Sequence, residues 1–236
     1  MTQKPKLSIV IPCYNAERYI LHCLSSVWIQ DAPHEEYECI IVNDGSTDSS
    51  ESIALKFIHG KSLFQYTSQP NRGVSAARNL GISKARGKYI LPLDADDFLN
   101  VWSIRMYLET WAKNPDAALV IPQVRRFWDG IQRERIYTHL WRGYGELLHR
   151  CFLPNSCSYK KSDWERIEGY RDGTMYEDWE FWIRLLHQND KVANVNKVLI
   201  NYRYHEDSRV HKGLMNHNRE CQIIREMNAD IYFKKP

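Results

Sequence analysis

The chain has 236 residues, 43% of them hydrophobic, which is enough for one large domain or two small ones. Its 32 basic and 29 acidic side chains leave a formal net charge of only +3, which argues against a generic nucleic-acid binder with a clustered basic face. No apolar run approaches the ~18 residues of a membrane span, and the polar opening Met1–Lys6 leads straight into a strand without a signal-peptide pattern.

Leu7–Pro12 reads as a strand, and Ala16–Gln30 as an amphipathic helix with Ala16, Tyr19, Ile20, Cys23, Leu24 and Val27 on one face. Cys39–Val42 is a second buried strand. A helix at 49–58 follows, with Asp48 and Glu51 spaced as a capping box. Phe64–Thr67, Gly73–Ala85 and Lys88–Leu93 read as strand, helix and strand. This alternation predicts an α/β fold with right-handed crossovers, built on a mixed, mostly parallel sheet flanked by helices. The second half is less regular. It reads as a helix at 102–113, a strand at Leu119–Pro122, and a hairpin of Arg125–Trp128 with Gln132–Tyr137 around Asp129-Gly130. Short helices at 143–152, 162–168 and 177–188 and strands at Val192–Val195 and Val198–Tyr204 come next. A polar amphipathic helix at 214–232 closes the chain; its apolar positions Ile223, Ile224, Met227 and Ile231 suit the domain, a partner or a membrane surface alike. Six cysteines form no CxxC pair and lie mostly in apolar runs, which fits a reduced, cytoplasmic setting better than a disulfide framework.

Several motifs are excluded. No GxGxxG follows the first strand, the glycines near Gly87-Lys88 have the wrong spacing and order for a phosphate loop, and neither HExxH nor GxSxG occurs. Asp94-Ala95-Asp96-Asp97 remains, directly after an apolar strand. Three carboxylates within four residues call for a hard divalent cation, whose coordination phosphate oxygens usually complete. Three further loops fall at the C-terminal ends of successive strands, where open α/β sheets bind ligands: Pro12-Cys13-Tyr14-Asn15, Asn43–Asp48 and Gln69–Asn79. Together they suit a nucleotide. Tyr14 offers a ring face to a base, and Asp44 can accept the N3–H of uracil, although Asp-Gly is also ordinary turn chemistry. Arg78 can reach a base carbonyl or a phosphate, Asp94 can take ribose hydroxyls, and Asp96 can hold the cation on the diphosphate.

Ser8–Asn15, Val42–Asp48, Asn71–Asn79 and Leu93–Asp97, followed by Glu168-Gly169-Tyr170, Glu177-Asp178-Trp179 and Tyr202–His205, resemble the family 2 glycosyltransferases of the GT-A fold, in order over roughly residues 7–208. The resemblance implies a single GT-A domain, 1–236, with a nucleotide-binding half (1–100), an acceptor-binding half (101–212) and a C-terminal helix (213–236). Asp94 and Asp96 match the DxD pair, with Asp96 the expected ligand of Mn²⁺ or Mg²⁺ and Asp97 an extension of it. Pro12, Tyr14, Asp44 and Arg78 match nucleoside-binding positions, with Asn15 in the same loop. Asp178 matches the catalytic base, and His205 a histidine that contacts the metal or diphosphate in some relatives.

Asp178 opens a helix, where the dipole favours an acid. Its neighbours Trp179 and Trp182 suggest a partly dry site with a raised pKa and a sugar-stacking ring. The expected reaction is an inverting displacement on a nucleotide-diphospho-sugar, with a UDP-sugar favoured. The expected acceptor is a saccharide or lipid-linked saccharide in surface polysaccharide or lipopolysaccharide assembly. Arg125, Arg126, Trp128, Trp141, Tyr144, Asn155, Lys160 and Lys161 are candidates to hold it. The rival reading is a catalytically silent nucleotide-sugar-binding subunit; peripheral membrane contact and oligomeric state stay open.

Overall fold

The computed structural model describes residues 4–129, 131–205 and 216–233. In chain order the first half contains β1 (Leu7–Cys13), α1 (Ile20–Trp28), β2 (Tyr37–Asn43), α2 (Ser50–Ile58), β3 (Phe64–Ser68), α3 (Val74–Lys84), β4 (Tyr89–Pro92), β5 (Phe98–Leu99) and α4 (Ser103–Lys113). The second half contains β6 (Leu119–Trp128), β7 (Ile131–Thr138), α5 (Tyr144–Leu147), β8 (Ser158–Lys160), α6 (Lys161–Arg166), α7 (Glu177–Leu186), β9 (Val192–Tyr204), α8 (His217–Met227) and α9 (Ala229–Tyr232). Every residue of β1 and β2 is buried, as expected of central parallel strands covered on both faces.

Among the described residues nine strands join one sheet in the order β3-β2-β1-β4-β8-β6-β9-β5, with β7 alongside β6. β3, β2, β1 and β4 are parallel. The short β8 is antiparallel to both β4 and β6, so β6 and its parallel neighbour β9 run in the same direction as β1. Register sets Leu119 level with Ile90 through Tyr159. β6 therefore continues roughly 20 Å past the end of β4, at ~3.3 Å per residue. One core cluster packs α1 and α4 on the sheet through residues such as Ile9, Leu24, Tyr107 and Trp111. A second packs α3, α7 and α8 through Val10, Ala77, Trp182 and Ile224. Gly81 lets α3 sit hard against the sheet, because a Cβ there would lie 2.5 Å from Val10 Cγ1.

Several expectations change. α1 starts at Ile20, four residues later than its periodicity suggests, and the helix at 143–152 shrinks to Tyr144–Leu147. Leu119–Pro122 and Arg125–Trp128 form one strand, as do Val192–Val195 and Val198–Tyr204. The capping box is not made. Asp48 accepts from the amides of Ser50 (2.9 Å) and Glu17 (3.1 Å), while Glu51 accepts the Tyr66 hydroxyl at 2.7 Å. β5 and β8 were not anticipated, since two or three residues carry no readable period. The terminal helix breaks at Asn228 and docks on the domain, burying Ile224 and donating the Tyr232 hydroxyl to Leu148 O at 2.7 Å. Residues 214–215 of that expected helix and Gly130 of the expected turn lie outside the described residues. Among the described residues no helix is long and apolar enough to cross a membrane, and all six cysteines are free thiols.

Candidate active site

The parallel strands bring the loops after β1, β2, β3 and β4 to one edge, and side chains tie them together. Pro12, buried within β1, pairs in register with Val42. Tyr14 follows with 51% of its surface exposed, so its ring is open to a ligand. Asn15 adopts φ +47° and accepts the Thr47 amide at 2.8 Å, while its own amide donates to Ser46 Oγ at 3.1 Å. Asp44 is buried. Its Oδ1 accepts from Gln69 Nε2 (2.7 Å) and Arg72 N (2.9 Å), and its Oδ2 from Gly73 N (2.9 Å). An ionised carboxylate has about four acceptor positions, so one more donor can be taken. Gly45, at φ +72°, permits this closure: a Cβ would lie 2.7 Å from Asn71 N.

Arg78 is 2% exposed and acts as a strut. One Nη donates to Asp94 Oδ1 and the other to Glu177 Oε1, both at 2.8 Å. The sequence pointed this guanidinium at a nucleotide; in the fold it joins the loop after β4 to the start of α7.

The carboxylate oxygens of Asp94, Asp96 and Asp97 lie within 4.8 Å of one another. Asp94 Oδ2 accepts from Asn155 Nδ2 at 3.0 Å, and His205 Nε2 lies 3.0 Å from Asp96 Oδ2. Asp97 is buried and accepts the Arg203 amide at 2.9 Å; burial, then the charges of Asp96 and Asp94, push its pKa well up. Arg203 also pairs with Asp129, donates Nε to Asp96 O at 2.9 Å, and sets Nη2 3.1 Å from His22 Nδ1. Burial and that guanidinium hold His22 below its ordinary pKa, so its Nδ1 accepts as a neutral ring. Hard oxygen donors gathered this closely, with an imidazole beside them, fit Mg²⁺ or Mn²⁺.

Asp178 lies in the first turn of α7, partly exposed, with Oδ1 accepting the Trp179 amide at 2.8 Å. Burial first, then the neighbouring Glu177 charge, raise its pKa to about 6, and Arg78 opposes them. The strut thus sets Asp178 beside the acidic cluster although 81 residues separate it from Asp97. The expected aromatic neighbours are not there to stack a sugar. Trp179 is 2% exposed and donates to Leu147 O at 2.7 Å, and Trp182 is wholly buried. Desolvation, not an indole face, is their contribution.

The acceptor candidates scatter. Asn155 joins the acidic cluster. Lys160 pairs with Tyr89 and Lys161 donates to Ala85 O at 2.8 Å, so both sit at the end of β4 opposite Asp94. Trp141 packs on Phe152, and Tyr144 donates to Ile183 O at 3.0 Å. Arg125, Arg126 and Trp128 lie on the long outer part of β6. Sequence reasoning missed Glu177 as the partner of Arg78 and Arg203 as the hub behind the cluster; the only signal for either was its place within a motif to which other residues gave the role.

Residues 8–163 match the profile of the family described as Glycosyl transferase family 2. The chain belongs to this family. The chain is 37% identical to the teichoic acid poly(glycerol phosphate) polymerase of Staphylococcus epidermidis, over 97% of this chain and 31% of that protein. It is 27% identical to the chondroitin synthase of Pasteurella multocida, over 89% of this chain and 22% of the relative. The family 2 chain thus spans about a third or less of these relatives' lengths. The fold is that of TarS from S. aureus, solved with UDP-GlcNAc (TM-score 0.75, 19% identity, 87% of this chain and 60% of that one). It is also that of the mannosyltransferase PcManGT from Pyrobaculum calidifontis, solved with GDP-Man and Mn²⁺ (TM-score 0.74, 17% identity, all of this chain and 67% of that one). Both likenesses establish the GT-A architecture.

Proposed function

We propose that this chain transfers a sugar from a nucleoside diphosphate sugar, with a UDP-sugar favoured, to a hydroxyl of a saccharide or lipid-linked saccharide, with inversion at the anomeric carbon. The observation that carries the reading is the Asp94–Arg78–Glu177 bridge, which ties an acidic cluster suited to a cation to the first turn of α7, where the next residue, Asp178, has its pKa raised to about 6. Relatives named for teichoic acid and chondroitin synthesis support a polysaccharide acceptor.

Tyr14 would stack on the base, and the remaining acceptor position of Asp44 would take uracil N3–H. Pro12 and Asn15 hold that wall of the crevice in shape. Asp94, Asp96 and His205 would hold Mn²⁺ or Mg²⁺, which supplies positive charge against the donor's diphosphate. Asp178 accepts the proton of the acceptor hydroxyl as that oxygen forms its bond to the anomeric carbon. The bond from that carbon to the diphosphate breaks on the opposite face, and the nucleoside diphosphate leaves with the electron pair. A base with a pKa near 6 is largely ionised at neutral pH yet still basic enough to share the proton in the transition state.

Calorimetry of UDP binding with and without Mn²⁺ tests the site. Mn²⁺ is expected to strengthen binding to the native chain and to have no effect on the Asp96→Ala variant. Equal Mn²⁺ dependence in both proteins would remove Asp96 from the metal site.

A further inference from the structure

The outer part of the β6–β7–β9 ribbon has two unlike faces. Register sets Arg126 between Arg135 of β7 and Tyr202 of β9, and Trp128 opposite Tyr204, so these side chains rise from one face. Ring contacts agree. The Arg126 guanidinium lies 4.0 Å from the Tyr204 ring centre, 5.3 Å from that of Trp128 and 5.8 Å from that of Tyr202. The Arg133 guanidinium lies 4.8 Å from the Trp128 ring centre. The opposite face carries Arg125, Phe127, Glu134 and Arg203, and there the charges are matched: Glu134 with Arg125 at 3.7 Å, and Asp129 with Arg203. Charge is therefore sorted by face. Among the described residues Arg126, Arg133 and Arg135 form no ion pair, and aromatic rings are their neighbours.

The ribbon borders the acidic cluster: β9 supplies the Arg203 amide, which donates to Asp97 at 2.9 Å, and leads into His205, whose Nε2 lies 3.0 Å from Asp96 Oδ2. Tyr202 and Tyr204, on the Arg126 face, flank Arg203 in the same strand. A chain whose terminal hydroxyl reached Asp178 would have to leave the crevice over neighbouring surface, and β6 and β9 extend past the end of β4, where the acidic cluster begins.

We propose that this ribbon face is a subsite for an anionic glycan acceptor, the guanidiniums of Arg126, Arg133 and Arg135 gripping its phosphate or carboxylate groups while Trp128, Tyr202 and Tyr204 stack on its sugar rings. The proposal rests on the glycosyl-transfer reading above and names the class of acceptor. Guanidinium forks match phosphate and carboxylate in two-point geometry, and ring faces suit the apolar faces of sugars. A bilayer is the poorer fit, because these rings are half-buried and stand among guanidiniums rather than on an exposed apolar face.

Calorimetry on the full chain without donor separates this proposal from failure of the donor site. The titrants are a uronate-bearing oligosaccharide, a polyol-phosphate oligomer, a neutral oligosaccharide of equal length, and vesicles of equimolar phosphatidylglycerol and phosphatidylcholine. At least one anionic oligomer is expected to bind, more weakly as salt rises, with the neutral one well behind; whichever binds identifies the anion. The exposed pair Arg133→Gln/Arg135→Gln is expected to weaken that binding about tenfold, the worth of one or two charge-assisted contacts. Arg133→Lys/Arg135→Lys, which keeps charge without the fork, should fall between, and adding Arg126→Gln should weaken binding further. Anionic binding that survives the paired glutamine substitution in a protein of unchanged Tm overturns the proposal. So does equal binding of the neutral chain, absence of binding by both anionic oligomers, or binding to vesicles alone.

Discussion

Asp178 lies under two opposed influences: burial and the Glu177 charge raise its pKa to about 6, while Arg78 pulls it back. The raised value has a stability consequence. Between the unfolded carboxylate value of about 4 and about 6, the folded chain binds more protons than the unfolded one, so stability falls as pH rises through that window and stays reduced above it. Asp178→Asn is therefore expected to raise stability at pH 7–8 by up to roughly 3 kcal/mol. The same change should lower kcat about 10²–10⁴-fold with UDP affinity nearly intact; thermal melts, turnover and calorimetry on one variant would check all three. In the native protein kcat/KM should fall as pH drops below about 6, as the base is protonated. Arg78→Met should move that fall to higher pH, since the cation that holds Asp178 down is gone. It should also cost about 3–5 kcal/mol by breaking the buried Arg78–Glu177 ion pair. An unshifted profile in a folded Arg78→Met protein would mean that Arg78 and Asp178 do not share a site.

Two helices hold the segment that delivers the base. From α3, Ser75 Oγ donates to Arg171 O at 3.1 Å, Asn79 donates to Tyr170 O at 2.8 Å, and Asn79 Oδ1 accepts the Tyr170 amide at 2.9 Å. From α8, the buried Glu220 accepts the Thr174 hydroxyl and the Met175 amide, both at 2.7 Å, and Met227 O accepts from Arg171 at 3.0 Å. The polar helix that read from sequence as equally suited to a membrane is thus a clamp on residues 171–176. Glu220→Ala leaves the Met175 amide unsatisfied, which should cost about 1–3 kcal/mol. It should also lower kcat with little change in donor KM, because Asp178 shifts while the nucleotide loops do not. Glu220→Gln retains an acceptor oxygen and should recover most of the loss. A fall in Tm with unchanged kcat would confine Glu220 to a structural role.

At the scale of the whole molecule, the sheet crosses the boundary between the halves. β4, the last long strand of the first hundred residues, pairs with β8, and β5 pairs with β9. Residues 1–100 expressed alone would bare the outer edge of β4 and the apolar surface that α4 and α7 cover. That fragment is expected to show no cooperative melt and no UDP binding, in contrast with the full chain. The strand–helix alternation of the first hundred residues was legible because each element is long enough to show its period, and the four loops converge because parallel strands end on one edge. β5 and β8 were not legible at two and three residues. Lys160 and Lys161 went to the wrong end of the sheet because composition says nothing of direction, and Trp182 went to the core because a ring beside an acid can face either way.

The sequence by itself determined the family, the alternating layers and the identities of the acidic groups, since these rest on local order: motif spacing, period and strand ends. The tertiary structure alone decided that Arg78 spans two carboxylates 83 residues apart, that Glu220 clamps the base segment, and that the cations of the outer ribbon gather on one face. Each of those depends on strand register and helix docking, which are summed over many weak contacts distant in sequence and leave no mark on any single stretch of it.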